Sequence, residues 1–129
     1  MEIMLFEIIK NAIIVGSGSF IGGVVRYLIS FAMKGVCNGF PWATLLVNLL
    51  GCFFIGLLWG FFSRTYVVDN NWQLFLIAGI CGGFTTFSTF SKEALAMFQC
   101  CDYLSFAFYL GVSVIAGVAL VALGYCIAK

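Results

Sequence analysis

The sequence predicts an all-α membrane protein of four transmembrane helices with a break in the third, and three observations predict it. The chain has 129 residues, 64% hydrophobic and 9% charged, whereas a soluble domain carries about 25% charged residues. Its charges fall in narrow bands that leave four apolar stretches, each holding the ~20 residues needed to cross a ~30 Å hydrocarbon core. One stretch contains Gly82-Gly83-Phe84-Thr85-Thr86-Phe87-Ser88-Thr89-Phe90. Glycines, hydroxyls and spaced aromatics are expensive at membrane depth unless the freed backbone groups face protein, an ion or a water-filled path.

The first span is placed at residues 8–33. Its start is acidic, with Glu2 and Glu7 ahead of Lys10. The apolar run then exceeds the roughly 7–15 residues of a signal-peptide core, so it reads as a retained helix. Gly18 and Gly22 form a G-x-x-x-G pair, the spacing that brings membrane helices into close contact. Arg26 lies deep, where a charge costs roughly 2.5–3.5 kcal/mol if fully central. It either snorkels to the interface or draws anions into a vestibule.

The second span, 42–62, carries no charge and places Asn48 at its middle, with Gly56 and Gly60 repeating the close-packing spacing. The Asn48 amide either bonds a neighbouring helix, worth typically about 0.6 kcal/mol, or presents a donor to a permeating anion.

The third span, 72–98, holds the break. Glycine costs about 1 kcal/mol per helical position relative to alanine, so the Gly82–Thr86 stretch is expected to unwind and turn carbonyls sideways toward a bare cation such as Na⁺. At about 100° per residue, Thr85, Ser88, Thr89 and Lys92 share one side, and Phe84, Phe87 and Phe90 the other. The hydroxyls, Ser91 among them, offer neutral donors. The phenylalanines either face lipid and core or turn their positive ring edges to an anion. Lys92 and Glu93 are placed at a helix end, as interfacial anchors, with Glu93 alternatively a polar partner for the third-span hydroxyls.

The fourth span, 103–128, carries Tyr109 and Ser113 one turn apart, and a small-residue pair in Ser113 and Gly117. Tyr109 suits core packing or pore lining. Short connections around 34–40, 63–71 and 99–102 predict antiparallel packing of neighbouring spans within one domain, residues 1–129.

No span carries a carboxylate pair, a metal-ligand cluster or a nucleophile beside a base, and there is no histidine, so an enzyme is not expected. The net charge of +1 lacks the basic patch that nucleic acid requires. The six cysteines, Cys37, Cys52, Cys81, Cys100, Cys101 and Cys126, form no C-x-x-C pair and read as small apolar filler. Lys10, Arg64 and Lys129 flank one side of the membrane; Lys34 and Lys92, with Arg26, flank the other. That balance selects neither orientation. Dual insertion and an antiparallel homodimer follow as expectations, with two opposed copies contributing oxygens to one cation.

Three segments resemble the fluoride channels known as Fluc or CrcB: Gly18–Tyr27 with its G-S-F-I-G-G-V-V-R-Y run, Pro41–Gly51, and Gly82–Phe90 followed by Glu93. The resemblance covers essentially the whole chain, and its third segment is the most specific. It implies an antiparallel, dual-topology homodimer in the bacterial inner membrane, with two fluoride pores and a central structural Na⁺. It assigns the Na⁺ to the backbone carbonyls of Gly82 and Thr85, and the pore to Phe87, Phe90 and Asn48. Ser88, Thr89 and Ser91 fall on a polar track, Ser113 is the fourth-helix pore serine, and Arg26 is the first-helix arginine of the vestibule. Ala43 departs from the family's more usual glycine. The implied function is passive export of cytoplasmic F⁻, protecting against its toxicity. The alternative is a small multidrug-type proton-coupled exporter, which needs a titratable carboxylate within a span. A non-transporting assembly subunit explains the glycines and leaves the hydroxyls without a purpose.

Overall fold

A computed structural model describes residues 1–36, 39–65 and 69–129. Helix α1 spans Glu2–Ala32 and α2 spans Trp42–Arg64. The next helix, α3, covers residues 70–84 in three continuous pieces: an α-helical turn Asn70–Gln73, a π-helical stretch Leu74–Cys81 and a closing turn Gly82–Phe84. Helix α4 spans Phe87–Gln99 and α5 spans Tyr103–Ala128. Together α3 and α4 form one interrupted span, so among the described residues four helical segments are long and apolar enough to cross a membrane. The expected Cys37 filler lies outside the described residues; the other five cysteines are free.

Caps set the boundaries. Asp69 accepts from the Asn71 N–H to start α3, and Asp102 accepts from the Ser105 N–H to start α5. Each satisfies an amide that the first helical turn leaves without a partner. Cys101, at φ 59°, makes the left-handed turn between α4 and α5.

The tightest helix pairs are not the expected antiparallel neighbours. α1 packs on α3, and α2 on α5, so each close pair joins spans running in the same direction. Close packing of backbones decides this, because small residues drive association where lipid is as apolar as the side chains. A Cβ on Gly22 would strike the Ile80 carbonyl, and one on Gly18 would lie 2.9 Å from the Gly79 Cα. Across the other pair, Gly60 brings α2 to the Tyr125 carbonyl, where a Cβ would be 2.7 Å away. Gly117, by contrast, merely faces the Cys52 sulfur at 3.4 Å. A small buried cluster of Leu45, Phe90, Ala94 and Tyr109 ties α2, α4 and α5 together.

The break occupies only the second half of the expected Gly82–Thr86 stretch. Gly82 keeps helical angles of φ −63° and ψ −40°, whereas Thr85 and Thr86 are extended at φ −82°, ψ 159° and φ −148°, ψ 121°. Gly83 serves close approach instead, since a Cβ there would lie 2.7 Å from the Ser19 Cα on α1. Glycine's weak helix propensity is overridden by packing at Gly83.

Candidate functional site

Two extended residues in a membrane span leave backbone groups to be satisfied, and α2 supplies the answer. The Asn48 side-chain carbonyl accepts from the Thr86 N–H at 2.8 Å, and its NH₂ donates to the Thr86 carbonyl at 2.9 Å. One turn along α2, Gly51 has no side chain to obstruct the Thr85 methyl that packs on it. The Asn48 amide is thus a clamp on the break as well as a candidate donor. Its second N–H, not engaged by Thr86, remains available to a ligand.

The clamp has an electrostatic consequence. In a continuous helix the Thr86 N–H would bond the Gly82 carbonyl four residues back, but Asn48 holds that N–H. Likewise the Thr89 N–H, due to the Thr85 carbonyl, is taken by the Thr86 hydroxyl at 3.3 Å. The Gly82 and Thr85 carbonyls are therefore both deprived of their usual helical donors, each for an identifiable reason. Neutral oxygens freed at a helix break are the donor type a bare alkali cation accepts. Between them, the Gly83 carbonyl accepts from the half-buried Arg26 Nε at 3.2 Å. Arg26 is thus tied to the break through its Nε.

The interruption also ends the helical register assumed for residues 84–92. Phe84 and Thr85 belong to the end of α3, and the Thr85 hydroxyl donates to the Cys81 carbonyl at 3.0 Å. On α4, Phe87 and Phe90 remain paired, with ring centroids 5.8 Å apart. A cavity of about 370 Å³ is lined by Asn48, Thr86, Phe87, Phe90 and Ser113, among others. Ser113 contributes a buried hydroxyl oxygen with no protein partner, the kind of group that calls for a ligand or water.

The other hydroxyls divide. The Thr86 Oγ donates to the Thr89 Oγ at 3.1 Å and lies 3.4 Å from the Ser88 Oγ, forming a short chain at the start of α4. Ser88 and Thr89 do not line the cavity with Asn48 and Ser113. Ser91 lines a neighbouring groove with Phe87 and Phe90, and its hydroxyl donates back to the Phe87 carbonyl at 2.9 Å.

Glu93 corrects its assignment to a helix end. It lies inside α4, about two turns before Gln99. Its two carboxylate oxygens accept separately from the Thr44 hydroxyl at 2.9 Å and the Tyr109 hydroxyl at 2.8 Å. Tyr109 is fully buried, with its ring 5.0 Å from that of Phe90. A second cavity, of about 430 Å³, opens beside Glu93 and is lined also by Phe40, Pro41, Met97 and Asp102. Thr44 went unnoticed in the sequence. Its signal was spacing, since Thr44 and Asn48 are one turn apart on an uncharged span.

Asp102, at the rim of this second cavity, has its carboxyl held below the usual range by hydrogen bonds from Ser105. Among the described residues no cluster of three cysteine or acidic side chains is arranged for a metal ion.

Residues 13–125 match the profile of the family described as "CrcB-like protein, Camphor Resistance (CrcB)". The chain is 41% identical over 122 residues to a protein of Azobacteroides pseudotrichonymphae named "Fluoride-specific ion channel FluC", covering 94% of this chain and 98% of that one. Proteins of the same name from Desulfotalea psychrophila, 40% identical with 92% of each chain covered, and Phocaeicola vulgatus, 42% identical with 89% and 95% covered, are similar over the same extent.

Proposed function

This chain belongs to the CrcB family, and from that premise we propose that it is a fluoride-selective channel through which cytoplasmic F⁻ leaves passively. It is a multi-pass membrane protein, placed by this reading in the bacterial inner membrane. The observation that carries the pore assignment is the convergence of Asn48, Phe87, Phe90 and the unpartnered Ser113 hydroxyl on one cavity.

The physical problem is that F⁻ is small and strongly hydrated. A pore must replace water's donors without trapping the ion. The free Asn48 N–H and the Ser113 hydroxyl are neutral donors, and the edges of Phe87 and Phe90 carry the positive part of the ring quadrupole. The Ser91 groove continues on the far side of the phenylalanines. The Glu93–Thr44–Tyr109 cluster stands beside a second cavity toward the same end of α4, where a fixed carboxylate already occupied by two hydroxyls orients their oxygens. Arg26 remains the vestibule candidate, anchored through Nε with its terminal NH₂ groups left to attract anions. Ser88 and Thr89 keep a place on the polar track.

In this reading two copies assemble antiparallel in dual topology. Phe87 lines the cavity yet is 80% exposed in the single chain, and Gly82 is also exposed. The cavity is thus open on the side where a second copy would complete it. The Gly82 and Thr85 carbonyls suit a structural Na⁺ at that junction, where two copies would supply four oxygens.

Proton-coupled export was disfavoured in the sequence by the lack of an acid within a span, and the position of Glu93 removes that reason. Family membership takes its place. The deciding experiment is passive F⁻ efflux from liposomes holding the purified protein, run beside Cl⁻. Rapid F⁻ release with little Cl⁻ release is expected; release of neither ion, with Na⁺ present and the dimer verified, refutes the pore. Crosslinking should trap opposed protomers, and exclusively parallel pairs would refute the topology.

A further inference from the structure

We propose that the first ten residues of the chain form an interfacial anchor, a helical extension whose apolar face lies in the headgroup–acyl boundary of the bilayer. Helix α1 is 31 residues long, about 46 Å at 1.5 Å per residue against a ~30 Å hydrocarbon core. Tilt alone would have to approach 50°, beyond the roughly 0–40° that membrane helices adopt, and packing of Gly18 and Gly22 on α3 already sets its course.

The level of the membrane surface on this side can be read from α3. That helix starts at the Asp69 cap, and its Asn71, Trp72 and Phe75 share a groove with Ile14 and Ser17 of α1. Trp72 is 58% exposed there, as expected of an aromatic residue at headgroup level. From Ile14, α1 continues for twelve more residues to Glu2, about 18 Å past the start of its partner.

The protruding segment is neither covered by protein nor suited to water. Met4, Leu5, Ile8 and Ile9 are between 51% and 64% exposed. At about 100° per residue these four share one half of the helix, while Glu7, Lys10 and Asn11 occupy the other together with the exposed Ile3 and Phe6. Glu7 and Lys10 form an ion pair along that polar side. A helix with an apolar face and a charged one, lying next to a bilayer, settles in the interface plane. The lipid that covers it is continuous with the lipid around the rest of α1. Helix α1 is continuous in the single chain, and the point most able to bend is Gly16-Ser17: Gly16 has no neighbour within 4 Å of where a Cβ would be, and the Ser17 hydroxyl donates to the Ile14 carbonyl. Such back-bonding favours bending. The segment also precedes residue 13, where the match to the family begins.

The test substitutes p-benzoylphenylalanine, one position at a time, for Leu5, Ile8 and Glu7 in the full chain. Each variant is reconstituted in phosphatidylcholine–phosphatidylglycerol vesicles, irradiated and analysed by mass spectrometry. Lipid adducts several-fold more abundant at Leu5 and Ile8 than at Glu7 are expected. Crosslinks to a second copy at Leu5 and Ile8, or equal yields at all three positions, overturn the proposal. Hydrogen exchange of the unaltered chain in the same bilayers is the second readout. Amides of residues 4–10 should be protected, and exchange at the rate of an unstructured peptide would also overturn it.

Discussion

Asn48 and Thr86 are joined by two hydrogen bonds, the Asn48 side chain accepting from the Thr86 N–H at 2.8 Å and donating to its carbonyl at 2.9 Å. One amide side chain on α2 therefore plays the part of a neighbouring strand for an extended residue in the middle of a membrane span. The helix break is a property of two helices together. Replacing Asn48 by Ala strands both backbone groups of Thr86, and an unsatisfied buried group costs about 1–3 kcal/mol. We expect a comparable loss of stability in thermal unfolding, with F⁻ efflux lowered about tenfold or more. A variant with the stability of the unaltered protein would show that water replaces the clamp.

Gly82 and Gly83 are adjacent yet should respond oppositely to alanine. A Cβ at Gly83 would lie 2.7 Å from the Ser19 Cα, whereas one at Gly82 would meet only the Ile77 carbonyl, at 3.8 Å, within the single chain. Overpacking of this kind costs about 1–3 kcal/mol. Gly83→Ala is expected to destabilise the folded chain, and Gly82→Ala to leave it intact. Impaired dimer formation in Gly82→Ala, read by size-exclusion with light scattering, would locate the partner at this face.

Phe87→Ile keeps an apolar side chain and removes the ring edge. F⁻ efflux should fall about tenfold or more, with the dimer unchanged by light scattering. Unaltered efflux would remove the Phe87 ring from the ion path.

Glu93→Gln replaces two acceptor oxygens by one acceptor and one donor, so Thr44 and Tyr109 can no longer both donate as they do now. One hydroxyl must turn away. Stability should drop by about 1 kcal/mol, and F⁻ efflux should fall as the second cavity loses its fixed oxygens. Thr44→Val tests the same contact from the other helix, and a double variant no worse than the worse single one would show that the two act through one bond.

Replacing Na⁺ on both sides of the vesicle with a large organic cation removes the proposed ligand of the Gly82 and Thr85 carbonyls. Efflux should decline on prolonged exchange and return when Na⁺ is restored. Indifference to the exchange would take the cation out of the mechanism.

Much of the architecture was legible because lipid makes composition informative. Four apolar stretches broken by sparse charges could scarcely be anything but spans, and the glycine spacings in α1 and α2 marked the faces that pack. The location of the break was less legible. Helix propensity pointed to the whole Gly82–Thr86 stretch, but Ser19 packs closely on Gly83, which stays helical, so only Thr85 and Thr86 unwind. Consecutive spans do touch and run antiparallel as expected, but the closest pairs were not legible. Loop length governs which spans are consecutive; backbone-to-backbone contact governs which are closest.

Glu93 shows the same division at the site. Beside Lys92, a lone acid looks like an anchor, because its partners are 49 residues away at Thr44 and 16 away at Tyr109. The sequence by itself determined the medium, the number of spans, the polar interruption and the set of neutral donors, all of which follow from side-chain chemistry and local period. Only the tertiary structure decided that Asn48 holds the Thr86 backbone, that Gly82 and Thr85 lose their helical donors, and that Ser113 meets Phe87 and Phe90 in one cavity. Those are contacts between separate helices, and their geometry depends on how closely two backbones can approach.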